Sequence, residues 1–229
     1  MRIVALETSG RTGTIALAER GAGGVATLSQ RALPPGQRTA RTLLPELQAA
    51  LAEVQWKPRD VQLVAVTSGP GSFTGLRIGV VAAKTLAYAT GATLVGVPTL
   101  AALAEGAPAG AGPLWAVLDA QRSELFAARF DRSAPAAEQT GVPFEVLPAD
   151  QWLARLSVGD AATGPPLAKL QERLPAGVAP LEPAYWAPAA SAVARLGAAL
   201  AARGETVDPL QLVPLYGRLS AAEEKASSS

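Results

Sequence analysis

The chain has 229 residues, 49% of them hydrophobic and 17% charged, with a formal net charge of +1. It is long enough to bury a core in one large domain or two small ones, and too balanced for its overall field to draw in nucleic acid. It contains neither cysteine nor histidine, which excludes a disulfide framework, a Ser–His triad, a Cys–His pair and any His-bearing zinc site and leaves carboxylates, Lys, Arg, Ser, Thr and Tyr for any chemistry.

The opening "MRIVALETSG" lacks the long apolar run and small-residue cleavage site of a secretory signal. The most membrane-like window, residues 78–97, is interrupted by Lys84, Gly91 and Gly96 and closed by Pro98. A cytoplasmic protein with no membrane span is expected. "RIVALE" (residues 2–7), "TIALAER" (14–20) and "GVATLSQ" (24–30) are β-type runs separated by turn residues, and predict a three-strand antiparallel meander. After "PPG", Leu43, Leu47, Leu51 and Val54 recur at helical spacing in "RTLLPELQAALAEV", with Pro45 expected in the first turn, where a missing N–H is tolerated.

"VQLVAVT" (61–67) is a continuous apolar strand of the kind buried on both faces. It leads through a glycine-rich turn into a long helix, followed by the strand "TLVGV" (93–97) and the short helix "PTLAALAE", started by proline. This order fits a mixed sheet with crossover helices. "EGAPAGAGP" (105–113) is a linker, which sets domain limits of 1–105 and 106–229. Beyond it, "LWAVLDAQRSELFAARFDR" repeats the pattern of the first hairpin, placing Asp119 where the first half has Glu7. The sequence leaves a duplication and two unrelated hairpins equally open. An alanine-rich helix over 189–203 is expected to pack back on the first lobe, and the tail from about residue 220 to fray.

The glycine-rich turn "SGPGSFTGLRIG" (68–79) fails three phosphate and nucleophile patterns. Gly69 and Gly75 are one residue too far apart for G-x-x-x-x-G-K-[ST], and Leu76–Arg77 stands in place of Lys–Ser/Thr. Gly69, Gly71 and Gly75 miss the dinucleotide spacing, and the residues flanking Ser72 at two positions are Pro70 and Thr74 rather than glycines. What remains is a helix N-terminus capped by Ser72 or Thr74. Within the helix, Gly75, Gly79 and Ala83 form one flat stripe, and glycine inside a helix costs about 1 kcal/mol against alanine. Another backbone should therefore come very close, either from this chain or from a second one.

Actin-like and sugar-kinase-like ATPases end the first strand of each half with an aspartate and a glycine-rich turn. Here the first acid is Glu7, in a turn "TSGRTG" that retains glycines, while "DAQRSE" (119–124) has none, so Gln121 and Arg122 crowd the second phosphate position. The residues nearest to a cofactor-binding set are Glu7, Ser9 and Gly10. One function class compatible with this is an actin-like ATP-dependent phosphotransferase on a small substrate, with Glu7 and Asp119 facing a metal. A metalloprotease-like reading has no ligands to stand on.

"SGPGSFTGLRIG" resembles, almost letter for letter, the signature of the TsaB (YeaZ-like) family of bacterial tRNA-modification proteins. "IVALETSG", "TLLPELQ", "VGVPTLAALA", "LDAQRSELFAARF" and "PLYGRL" (214–219) are similar to other parts of the same family. The resemblance implies a duplicated actin-like (ASKHA) α/β fold of two lobes, each a mixed sheet flanked by helices. It implies a non-catalytic paralogue of TsaD that pairs with it as a heterodimer, joins the ATPase TsaE in a larger complex, and meets tRNA indirectly during formation of threonylcarbamoyladenosine beside the anticodon of tRNAs reading A-starting codons. No metal or cofactor of its own is implied, a nucleotide at the TsaD interface being left open, and the isolated chain is expected to pair with itself through the same face.

Carried over by position, the docking helices are residues 42–54 and 74–90. The interface residues are Leu43, Leu47 and Leu51 on the first and Gly75, Arg77, Ile78, Gly79, Ala82 and Ala83 on the second. The chain departs from the family pattern at Glu7, commonly Asp, and at Thr39, often His, which weakens any nucleotide or metal role. Arg31, Arg38 and Arg41 cluster near the first helix and read as a solvated basic face in preference to an RNA site.

Overall fold

A computed structural model describes residues 1–217. The expected tail from about residue 220 lies outside the described residues. Three antiparallel strands open the chain, β1 (Arg2–Glu7), β2 (Thr14–Gly21) and β3 (Gly24–Ala32). Helix α1 (Thr39–Glu53) then crosses to β4 (Leu63–Gly69), which lies parallel to β1. Helix α2 (Phe73–Thr90) crosses to β5 (Thr93–Pro98), parallel to β4, and α3 (Thr99–Gly106) follows. The first sheet has the order β3-β2-β1-β4-β5.

The second half is built from β6 (Pro113–Gln121), β7 (Glu124–Asp131), β8 (Glu145–Pro148), β9 (Ala161–Thr163) and β10 (Ala179–Pro180). Its order is β8-β7-β6-β9-β10, with β7 antiparallel to both β6 and β8 and β9 parallel to both β6 and β10. Strand by strand, in chain order and direction, this is the first sheet again. The shared topology favours the duplication reading of the two hairpins. The fold is a two-lobed α/β architecture with a mixed sheet in each lobe.

Period-two alternation explains why the central strands read as unbroken apolar runs. In β1, Ile3 and Ala5 enter one core while Val4 and Leu6 enter another; in β4, Leu63 and Ala65 divide from Val64 and Val66 in the same way. The inner core joins both sheets through α3 and α6 (Ala190–Ala202), and its wall is rich in alanine, so the helices approach closely. Helix α6 follows the second sheet in the chain but lies across all five strands of the first. Gly197 sits directly on Ala65, leaving no room for a side chain, and Arg195 of α6 meets Glu105 of α3 at 2.6 Å. The outer cores pack α1 and α2 on the first sheet, and α4 (Ala149–Arg155) and α5 (Leu167–Leu170) on the second, around the fully buried Trp152.

Two local expectations are corrected. Pro45 is not in the first turn, because α1 begins at Thr39. The carbonyl left without its partner N–H, that of Arg41, belongs to the exposed side of the helix, where water can take the bond. Pro98 does not start α3 from inside; it is the extended N-cap residue, at φ −60° and ψ 130°.

Candidate functional site

The carboxyl end of β1 is the seat on which the glycine-rich turn rests. Thr8 and Ser9 continue from the strand, and the Ser9 carbonyl accepts from the Ser72 amide at 2.8 Å. A Cβ on Gly71 would come within 2.7 Å of the Ser9 Cβ; one on Gly75 would collide with the Thr8 carbonyl oxygen, and one on Gly79 with the Thr8 hydroxyl. Ser72, not Thr74, caps α2, its hydroxyl accepting from the Gly75 amide at 3.2 Å. The backbone that the small-residue stripe admits is therefore this chain's own.

That packing redraws the expected interface. Leu43, Leu47, Leu51, Gly75, Gly79 and Ala83 are buried in the first lobe. They are the inward positions of α1 and α2, since apolar residues at helical spacing first satisfy the sheet beneath them. Ile78 and Ala82 are half-buried against the same core. Arg77 is exposed, but its Nε donates to the Tyr216 hydroxyl at 2.9 Å. The large apolar side chains on the outer faces of the pair are instead Leu44, Val81 and Tyr88, at 56%, 62% and 73% exposure. Sequence reasoning passed over them because an outward Leu or Val follows no period; a large apolar residue out of phase with the buried stripe was the available signal.

The two acids sit in unlike surroundings. Glu7 is 1% exposed, and its Oε1 accepts from the Ser9 amide at 2.7 Å and from the Ser9 hydroxyl, while Oε2 has no hydrogen-bond partner. Burial pushes its carboxyl up to about 7, against smaller opposing effects from Ser9 and the Gly10 amide. Asp119 is exposed and accepts from the Gln121 amide at 2.7 Å. Between β6 and β7, Gln121, Arg122 and Ser123 hold φ values of 67°, 52° and 63°, a tight hairpin without glycine. An enclosed carboxyl and a carboxylate turned to its own backbone do not fit the paired acids of a metal–phosphate cradle. Among the described residues, no group of three or more His, Cys, Asp or Glu side chains could hold a metal ion.

No periodicity in the sequence announces the strap that closes the site. After α6 the chain returns along the first lobe: the Val207 amide donates to the Leu94 carbonyl at 3.0 Å, and the Lys84 ammonium to the Leu210 and Leu212 carbonyls. The Leu215 amide donates to the Ser68 carbonyl at 2.6 Å. Gly69, at φ +121°, lies so close to the Leu215 carbonyl that a side chain there would strike it. Tyr216 packs on Phe73 with ring centroids 4.6 Å apart, and the Arg77 guanidinium lies 3.9 Å over the Phe73 ring. Behind the strap, a cavity of about 330 Å³ between the lobes is lined by Gly69, Pro70, Leu100, Phe130, Phe144 and Leu215.

The topology and the rebuilt strand ends define a two-lobed protein of the actin-like class. The model of the family "TsaD: tRNA N6-adenosine threonylcarbamoyltransferase" matches residues 36–143. Over 134 residues, 58% of this chain and 56% of the relative, the sequence is 34% identical to the tRNA threonylcarbamoyladenosine biosynthesis protein TsaB of Escherichia coli. It is 32% identical to TsaB of Bacillus subtilis over 117 residues, 51% of each chain. The chain thus spans about half the length of the curated relatives it matches. The structure of YeaZ from Pseudomonas aeruginosa superposes with a TM-score of 0.75 at 26% identity, covering 94% of this chain and 99% of that one. In sequence over about half of their length, and in fold over nearly all of its own, the chain is similar to the TsaB (YeaZ-like) proteins. No helix among the described residues is long and apolar enough to cross a membrane.

Proposed function

We propose that the chain is a non-catalytic subunit in the biosynthesis of tRNA threonylcarbamoyladenosine, and that it pairs with TsaD through the outer faces of α1 and α2. The observation that carries this is the trio Leu44, Val81 and Tyr88, large apolar side chains left in solvent on two helices whose inner faces are fully packed. Such residues become anchors when a second surface covers them. The half-buried Ile78 and Ala82 would border that contact, whereas Gly75 and Gly79 support it from within by seating α2 on Thr8 and Ala83 by packing into the core beneath. TsaE and the tRNA join in the larger assembly, in the cytoplasm, and without TsaD the same face pairs two copies of the chain. The unmatched acids Glu7 and Asp119 speak against the phosphotransferase reading.

Co-elution of the chain with its cognate TsaD at micromolar concentration tests the pairing. Val81→Glu and Tyr88→Glu point outward and should leave the unfolding midpoint unchanged, yet weaken pairing by about 2 kcal/mol or more each. Two separate elution peaks for the wild-type pair, or undiminished pairing of both variants, would refute the reading. Threonylcarbamoyladenosine formation should stop when the chain is omitted, and the chain alone should not turn over magnesium–ATP.

A further inference from the structure

The loops at the carboxyl end of the first lobe's parallel strands gather arginines that face no acid. Strands β1 and β3 both run antiparallel to β2, so both end where Glu7 sits. The β1–β2 turn, the β3–α1 loop and the N-termini of α1 and α2 are therefore all at this end. Arg11 is in that turn, Arg38 is the N-cap residue of α1, and Arg41 is in its first turn. All three are exposed, and among the described residues none of their guanidinium groups has a hydrogen bond or ion pair. Several arginines elsewhere are neutralised: Arg2 faces Glu19 and Asp60, Arg155 faces Glu145, and Arg173 faces Asp150, while Arg20, Arg77 and Arg132 donate to carbonyl or hydroxyl oxygens. Arg31, which the sequence groups with Arg38 and Arg41, is held by Glu46 and Glu53 at 3.2 and 3.1 Å.

The placement runs against helix stability. Neither α1 nor α2 has an acid in its first turn, and α1 has Arg38 and Arg41 at the end where the helix dipole favours negative charge. The carboxyl of Glu7 at this end is enclosed and half neutralised near pH 7, and Glu46 is engaged by Arg31. The surrounding residues, "TSGRTG" and "PPGQRTAR", offer glycine, proline and small polar groups, and Leu33 between them is buried. A protein partner would look for aromatic or aliphatic anchors, which this lobe presents on the outer faces of α1 and α2 instead. Positive charge, open backbone and no apolar anchor match a nucleic-acid phosphate backbone.

We propose that Arg11, Arg38 and Arg41 form a direct contact surface for the phosphate backbone of RNA, so that this chain itself touches the tRNA. The identity of that RNA rests on the proposed function; the anion-binding surface does not. Each arginine–phosphate contact steepens the dependence of log affinity on log salt by about one unit. Three of them therefore account for a factor of about 40 in the affinity ratio between about 50 and about 200 mM salt.

The experiment measures binding of a tRNA transcript by the complex with TsaD at those two salt concentrations, for wild type and for the triple variants Arg→Ala and Arg→Lys at residues 11, 38 and 41. The alanine variant should co-elute with TsaD normally, keep its unfolding midpoint, and show an affinity ratio about 40-fold smaller; the lysine variant should keep most of the wild-type ratio. An unchanged ratio in the alanine variant overturns the proposal. So does loss of co-elution by that variant, which would assign the arginines to an acidic protein surface. If the wild-type chain fails to co-elute, the proposed function fails, and the same salt comparison on the chain alone decides the arginine surface separately.

Discussion

Glu7→Gln replaces the buried carboxyl at the end of β1 with a neutral group of nearly the same shape. In the wild-type fold, burial raises this carboxyl from 4.5 to about 7. An acid that holds its proton more tightly in the folded chain than in the unfolded one stabilises the fold at low pH. That stabilisation is full below about pH 4.5 and is lost progressively as pH rises through about 7. At about 1.4 kcal/mol per pH unit between the two values, the loss amounts to about 3 kcal/mol by roughly pH 8. Glutamine keeps the Oε1 acceptor for the Ser9 amide and hydroxyl, but puts an amide where Oε2 has no partner. That defect costs about 1–3 kcal/mol at every pH, so it shifts the variant's stability without tilting it. Urea unfolding at about pH 5 and about pH 8 separates the two effects. The difference in unfolding free energy between wild type and variant should change by about 2–3 kcal/mol between the two conditions, in the variant's favour at high pH. A difference constant to within a few tenths of a kcal/mol would refute the claim that Glu7 is held by burial against its charge.

Two further predictions concern the seat and the strap. Gly79→Ala should destabilise the fold by about 1–3 kcal/mol, because the new methyl meets the Thr8 hydroxyl. Thr8→Ala should recover most of that loss but none of the loss from Gly75→Ala, whose methyl meets the Thr8 backbone carbonyl; equal rescue of both would disprove the geometry. Tyr216→Ala should cost about 1–2 kcal/mol and speed amide exchange at Leu215, since it removes the ring on Phe73 and the acceptor for Arg77. Unaltered exchange at Leu215 would mean that the strap is held from elsewhere.

Much of the first lobe could be read from periodicity. The three-strand meander, α1, β4, α2, β5 and α3 appear within a few residues of their expected places, because each is long enough to show a period of two or 3.6. The second lobe was legible only in its first hairpin. Strands β8, β9 and β10 have four, three and two residues, too few to show any alternation, and they exist because β7, β6 and β9 respectively supply their hydrogen bonds. The strap was invisible for a related reason: a single extended segment has no period, and its partners Ser68, Phe73 and Arg77 are far away in the chain.

By itself the sequence determined the chemistry that this chain lacks, the order of its main elements, and the need for a backbone to lie against Gly75 and Gly79. Composition and short-range periodicity are local properties, and they survive without knowledge of where the chain goes next. Only the tertiary structure decided that Thr8 fills that place, that α6 covers the first sheet, and that Arg31 is neutralised while Arg11, Arg38 and Arg41 are not. Each of these depends on which distant segment returns to the same spot, and such returns are set by the closing of two sheets around a shared helix layer.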